Sequence, residues 1–234
     1  IREKMTWGTA TDEEIATYQF LDDVAFSTVR ALVGLDECEV AVTGAAPIPA
    51  QLITWFRTIG IPLAEVYGMS ENTGPMTFER FKVKAGTVGR ALPGVELEIF
   101  PDGEVCCRGG LVCQGYLNDP EKTAEAIDED GWLHSGDIGE IDEEGYLRIV
   151  DRKKELIITA GGKNISPANL EAALKLIPLV AQAAAIGDNR PFVSALVALD
   201  PEVAPVWATN QGIEFADLED LATKAEVVEA VNSG

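Results

Sequence analysis

From Glu39 to Val66 the sequence reads strand, helix, strand with links of only a few residues, and this constrains the fold more than any other feature. Glu39-Val40-Ala41-Val42 is a short strand candidate, preceded by a helical pattern that ends near Leu35. Leu52, Ile53, Phe56 and Ile59 recur at helical spacing, forming one face of a helix that stops at Gly60. Pro62 to Val66 is the next strand. A strand that returns through a helix to its neighbour makes a right-handed crossover and a parallel pair. The region therefore predicts an open α/β sheet, with any ligand crevice outside the carboxyl ends of its strands.

The pattern changes from about Val88. Val95 to Phe100 is a strand, Pro101-Asp102-Gly103 a turn, and Glu104 to Arg108 the return. Asp142-Glu143-Glu144-Gly145 is a second turn, leading into a strand from Tyr146 to Val150. This region predicts antiparallel sheet. The charged run Asp151-Arg152-Lys153-Lys154-Glu155 marks a domain boundary, giving a first domain over 1–151 and a second over 152–234. In the second, Ser166 caps a helix that begins at Pro167, with Leu170, Ala173, Leu174 and Ile177 as its apolar face. Val180 to Ile186 and Phe192 to Leu199 are strands around a turn at 187–190. The tail from Glu214 to Glu229 carries six acids against Lys224 alone and predicts a solvated helix.

Eighteen Lys and Arg stand against 39 Asp and Glu, a net charge of −21. Such a surface repels phosphate backbones, so nucleic acid is a poor partner. A small anion held by a few local cations remains open. No apolar run approaches the ~18 residues of a membrane-spanning helix. The start, Ile1-Arg2-Glu3-Lys4, lacks both an initiator Met and an apolar signal core, so the chain reads as the middle of a longer one. Cys38, Cys106, Cys107 and Cys113 show no zinc-type spacing, and the single histidine, His134, is distant from them in sequence. They suit buried thiols in a reducing compartment.

No Gly-x-Gly-x-x-Gly, P-loop or His-Glu-x-x-His pattern is present, and Ser135 beside His134 does not suit a hydrolytic triad. Four segments can carry chemistry. Thr43-Gly44-Ala45-Ala46-Pro47 follows a strand and lets backbone approach a flat ligand; its bland counterpart is an ordinary strand–helix turn. Tyr67-Gly68-Met69-Ser70-Glu71 offers a stacking ring, a hydroxyl and a carboxylate for a hard cation. His134-Ser135-Gly136-Asp137 places a carboxylate in a tight turn, suited to a sugar diol or simply to an Asx turn. Arg152, Lys153, Lys154 and Lys163 form the densest cationic region, which a solvated surface run would also explain.

The order of these motifs, together with Gly115-Tyr116, Pro120-Glu121-Lys122-Thr123 and the run from Asp151 to Pro167, resembles the adenylate-forming superfamily of acyl-CoA synthetases, luciferases and peptide-synthetase adenylation domains. The resemblance covers nearly the whole chain. The run DRKKELIITAGGKNISP, and ENTG from Glu71, are most similar to long-chain fatty acid–CoA ligases of the bacterial and bubblegum type. The implied fold is the end of a parallel-sheet AMP-binding domain with an antiparallel β subdomain, followed by a small, incomplete α+β domain.

The resemblance implies ATP, Mg²⁺ and coenzyme A as cofactors and a long-chain fatty acid as substrate. Gly44, Ala45 and Ala46 would line the adenine, with Tyr67 stacked on it and Gly68 in the same motif. Ser70 would touch the α-phosphate and Glu71 would hold Mg²⁺. Asp137 would accept from the ribose hydroxyls, and Arg152 would lie near ribose and phosphate. Lys154 would be the hinge between half-reactions. Gly161 and Gly162 would line the pantetheine passage, and Lys163 takes a position usually basic in the family. Ser70, Glu71 and Lys163 are thus the implied catalytic set. The location implied is cytoplasmic, with peripheral membrane contact as a further expectation.

Family members also carry a Ser/Thr/Gly-rich phosphate loop upstream and a late Lys, and neither motif occurs here. The expectation is a middle-to-late portion of a ligase, inactive alone and completed by an upstream segment bearing the phosphate loop. An aryl or amino-acid adenylating domain, or a non-catalytic nucleotide-binding or subunit-interaction remnant, stays open beside it.

Overall fold

The computed structural model describes residues 1–234, and the chain divides into two compact units, Ile1–Lys153 and Lys154–Gly234. The first opens with α1 (Arg2–Trp7), α2 (Asp12–Leu21), a π-helical turn at Asp22–Phe26, and α3 (Ser27–Leu32). A reciprocal cap starts α2: Thr11 Oγ1 accepts from Glu14 N, and Glu14 Oε2 accepts from Thr11 N. Arg30 donates both Nη atoms to Asp22, at 2.6 and 2.9 Å, and Nη1 also reaches the Ile59 carbonyl at 2.7 Å. That fork ties the early helices to the crossover behind them.

The crossover is β1 (Ala41–Thr43), α4 (Ala50–Thr58) and β2 (Leu63–Met69), with β1 and β2 parallel from Ala41↔Leu63 to Thr43↔Glu65. Ile53 and Ile59 are the buried members of the predicted helix face, whereas Leu52 is 40% exposed. Full burial of one such side chain contributes about 1.5–3 kcal/mol. β3 (Gly74–Phe78) and β4 (Arg90–Ala91) extend the sheet antiparallel, giving the order β1-β2-β3-β4. A bulge at Tyr67/Gly68 shifts the β2–β3 register. Gly68 allows this approach: a Cβ there would stand 1.8 Å from the Gly74 carbonyl oxygen.

The antiparallel portion is a four-stranded meander of β5 (Val95–Ile99), β6 (Glu104–Gly109), β7 (Leu133–Ile141) and β8 (Leu147–Arg152), with α5 (Pro120–Ala126) between β6 and β7. The expected mixture of parallel and antiparallel sheet is therefore present. β8 continues through Arg152, which pairs with Asp137, so the strand enters the charged run. The first unit accordingly ends at Lys153 rather than at residue 151. Two buried clusters fill the interior, one of Met76, Cys107 and Leu133 and the other of Val88, Val105 and Leu147.

The second unit contains the short pair β9 (Ile157–Ile158) and β10 (Asn164–Ile165), then α6 (Pro167–Leu174), the hairpin β11 (Val180–Ile186) and β12 (Ser194–Leu199), α7 (Val203–Asn210), α8 (Leu218–Ala222) and α9 (Ala225–Ser233). Ser166 Oγ accepts from Asn169 N and caps α6 as its Ser-Pro start predicts. The helix stops before Ile177, and Leu170 is exposed, so its apolar face is shorter than the spacing suggests.

The tail differs from its expectation. It forms two helices, and Leu221 and Val227 lie in the buried core with Leu179, Leu199, Ala204 and Ala208. The six acids decorate the outer side of a packed layer, and net charge concealed that layer. No helix of the chain is long and apolar enough to cross a membrane.

Candidate functional site

Tyr67 lies inside β2, two residues beyond the last pair with β1. Its ring packs against both buried clusters of the first unit. Its hydroxyl donates to Asp137 Oδ2 at 2.5 Å across to β7. Arg152 Nε reaches the other oxygen, Oδ1, at 3.0 Å from the paired strand β8. Asp137 is only 5% exposed. Burial pushes its pKa above the usual carboxylate range, while the Tyr67 hydroxyl and the Arg152 charge pull the other way. Burial, followed by the bond to Asp137, drives the Tyr67 phenol well above its ordinary value.

After β2 the chain makes a 3₁₀ turn over Ser70–Asn72. Asn72 is buried and its Oδ1 accepts from Met69 N at 2.9 Å, which fixes the turn and leaves Ser70 exposed. Glu71 Oε1 accepts from the Tyr116 hydroxyl at 2.7 Å. The loop bearing Tyr116 is itself built: Tyr116 N donates to Thr123 Oγ1 at 2.9 Å, and Asp119 caps α5 by accepting from Lys122 N at 3.1 Å. The Gly115-Tyr116 and Pro120-to-Thr123 motifs are thus one structural piece aimed at Glu71. The second carboxylate oxygen of Glu71 stays available for a hard cation. One carboxylate completed by water and phosphate oxygens is a common Mg²⁺ arrangement, so the residues fit that ion.

Gly44, Ala45 and Ala46 form the bend after β1, with Ala45 in the left-handed region at φ 67°. A Cβ on Gly44 would stand 2.8 Å from the Val66 carbonyl oxygen, which brings this bend close to β2. The structure therefore gathers Tyr67, Asp137 and Arg152 into direct contact, with Glu71 and Tyr116 as a second pair.

Gly161, Gly162 and Lys163 belong to the other unit, in the turn between β9 and β10. Gly162 N donates to the Thr159 carbonyl at 2.8 Å, and Lys163 N to Thr159 Oγ1 at 3.1 Å. All three are exposed, and Lys163 lines a cleft of ≈ 660 Å³ with Leu170, Phe192 and Val193. Lys154 begins this unit and is exposed.

Sequence reasoning missed Glu104. It is buried at the start of β6, and its Oε1 accepts from Gly136 N at 2.8 Å. Its Oε2 lies 3.1 Å from both His134 Nδ1 and Lys153 Nζ. Burial opposes its charge, yet the bonds from His134, Gly136 and Lys153 together hold its pKa below the usual range. A lone acid beside Val105 and Cys106 in a strand was the available signal. The structure also sets His134 opposite Cys106 in the β6–β7 ladder, with Nδ1 3.6 Å from Sγ. The three donor groups lie close enough for a metal. However, the Lys153 ammonium already neutralises Glu104, and burial pushes the Cys106 thiol up to about 12. The cluster is a hydrogen-bonded network.

Comparison with known proteins agrees with this layout. Residues 10–117 match the family described as AMP-binding enzyme, and residues 154–233 match the AMP-binding enzyme C-terminal domain. The chain belongs to the AMP-binding enzyme family. FadD11 of Mycobacterium tuberculosis is 45% identical over 226 residues, 96% of this chain and 39% of the relative. The long-chain-fatty-acid–CoA ligase FadD15 of the same species is 40% identical over 220 residues, covering 93% of this chain and 36% of the relative. The long-chain-fatty-acid–CoA ligase ACSBG2 of Xenopus laevis is 44% identical over 232 residues, covering 93% and 31%. The chain thus spans less than two fifths of the length of these relatives. Among solved structures, the O-succinylbenzoate CoA synthetase of Bacillus subtilis with ATP and magnesium superposes at TM-score 0.62 with 29% identity, covering 78% of this chain and 41% of that one. The same enzyme with its acyl-adenylate gives 0.66 at 25% identity, covering 85% and 48%.

Proposed function

We propose that the protein acts in ATP-dependent activation of a long-chain fatty acid to its CoA thioester. A fatty-acid carboxylate oxygen bonds to the α-phosphorus of ATP as the bond to pyrophosphate breaks. The CoA sulfur then bonds to the acyl carbon, the bond to AMP breaks, and the thiol proton is released. The observation that carries this reading is the Tyr67–Asp137–Arg152 constellation beside Glu71.

On this reading Asp137 accepts from the ribose hydroxyls, as a carboxylate with two oxygens can. Arg152 sits on the same carboxylate and presents its charge toward the sugar and phosphate. Ser70, exposed on its turn, donates to the α-phosphate. The bend at Gly44, Ala45 and Ala46 lines the adenine, and Tyr67 borders it. Glu71 holds Mg²⁺, which when bound neutralises phosphate charge. Positioning and charge neutralisation supply most of the acceleration in such transfers. Lys154 is the pivot about which the second unit turns, bringing Gly161, Gly162 and Lys163 into use for the thioester step. An upstream segment with a Ser/Thr/Gly-rich loop for the β- and γ-phosphates completes the proposal, and the 234 residues alone are expected to bind nucleotide without releasing pyrophosphate. A cytoplasmic setting, with contact at the membrane periphery, fits an amphiphilic substrate.

Calorimetry with AMP, and with ATP across a Mg²⁺ series, tests this. Asp137→Asn should weaken AMP roughly tenfold or more, the value of one charged hydrogen bond. Glu71→Gln should leave AMP affinity intact and remove the Mg²⁺ dependence of ATP binding. AMP affinity indifferent to Asp137→Asn, or a Mg²⁺ dependence that survives Glu71→Gln, would refute the respective assignment.

A further inference from the structure

Lys153 and Lys154 are adjacent, both exposed, and held in opposite ways. The Lys153 amide donates to the Gly136 carbonyl at 2.8 Å. Its ammonium lies 2.6 Å from Asp102 Oδ2 and 3.1 Å from Glu104 Oε2. Lys154 makes no comparable contact, and the boundary between the units falls between these residues. The Gly136 peptide is gripped from both sides, its N–H by Glu104 and its carbonyl by Lys153. Asp137 comes next in the chain.

We propose that Glu104 is a positioning residue with two duties: with Asp102 it clamps Lys153 as the fixed end of the pivot, and through Gly136 it sets the orientation of Asp137. The clamp makes Lys154 the first residue free to turn. The second duty rests on the nucleotide reading given above and the word pivot on the Lys154 assignment made there, whereas the clamping of Lys153 rests on neither. A partly exposed ammonium between two carboxylates is also screened by salt, so the clamp loosens as ionic strength rises.

The test is residue-resolved amide hydrogen exchange on the ¹⁵N-labelled chain, with AMP affinity measured in parallel. In the parent, the Lys153 amide should be protected like those of β8 and the Lys154 amide should exchange freely. Lys153→Met keeps the stem and removes the ammonium. It should speed exchange at residue 153 by about tenfold, leaving the Gly136 and Ile149 amides and AMP affinity unchanged. Glu104→Gln should speed exchange at both 136 and 153 and weaken AMP severalfold. Lys153→Arg should restore protection. A Lys153 amide as fast as that of Lys154 in the parent, or unchanged by Lys153→Met, would overturn the clamp. If Glu104→Gln fails to fold, Lys153→Met still decides that point. A parent chain that protects Lys153 but binds no AMP would sink the nucleotide reading, and with it the second duty, while supporting the clamp.

Discussion

Replacing Tyr67 by Phe removes one oxygen and leaves the ring, so packing against both buried clusters of the first unit should survive. What is lost is the donor 2.5 Å from Asp137 Oδ2, on a carboxylate that is 5% exposed. A hydrogen bond to a buried charged group contributes about 1.5–3 kcal/mol, and Arg152, on the other oxygen, cannot replace it. The cost depends on pH. Burial raises the Asp137 pKa in the folded state, so the folded state binds that proton more tightly than the unfolded chain does. Ionising Asp137 therefore lowers stability as pH rises from the unfolded value through the folded one. The Tyr67 hydroxyl offsets some of that loss. Tyr67→Phe should consequently cost the full amount at neutral pH and little where Asp137 is protonated. Urea unfolding from about pH 4 to pH 8 measures this. In a Trp207→Phe background, emission comes from Trp7, Trp55 and Trp132, all in the first unit. A loss that is equal at both ends of the range, or absent at neutral pH, would refute the argument.

Gly68→Ala should destabilise the first unit by about 3 kcal/mol or more, because its Cβ would collide with the Gly74 backbone; thermal melts of the soluble fraction would read this. Burial raises the Glu65 pKa to about 7, so its ionisation costs stability as pH climbs from about 4.5 through 7. Glu65→Gln should therefore stabilise the protein by about 1–3 kcal/mol above that range and change little below it, as pH-dependent urea midpoints would show. Iodoacetamide should label Cys38 and Cys113 well before Cys106 and Cys107, which are buried with thiols pushed up by desolvation; peptide mass spectrometry of briefly treated native protein gives the order.

Local periodicity carried much of the fold. The spacing of Ile53 and Ile59 placed α4, and the short links around it required the parallel β1–β2 pair. The turns at 101–103 and 142–145 placed the meander. The tail was misjudged because counting acids ignores which face they occupy: Leu221 and Val227 are few but fully inward. At the site, the motifs pointed to Tyr67, Glu71, Asp137 and Arg152, yet not to their partners. Tyr67 is 70 residues from Asp137 and Tyr116 is 45 from Glu71, and pairing across such distances is decided by strand register. Glu104 escaped for the same reason, since its three donors come from β7 and from the end of β8.

Each oxygen of Asp137 already accepts one donor, Oδ2 from a phenol and Oδ1 from a guanidinium. A carboxylate offers about four lone-pair sites, so on the proposed reading a diol arriving there shares each oxygen with a donor that is already in place. Each new bond is then made to an oxygen whose charge is already partly satisfied, so it gains less than a bond to a bare carboxylate would. Discrimination gains what affinity gives up. On the same reading, a ligand without two suitably spaced hydroxyls leaves the Tyr67 and Arg152 bonds as they are and gains nothing at this carboxylate. The phenol that shares Asp137 belongs to a ring packed against both buried clusters. A diol bound there would therefore be felt at the packed ring, and the difference in near-ultraviolet dichroism between the parent and Tyr67→Phe would report it.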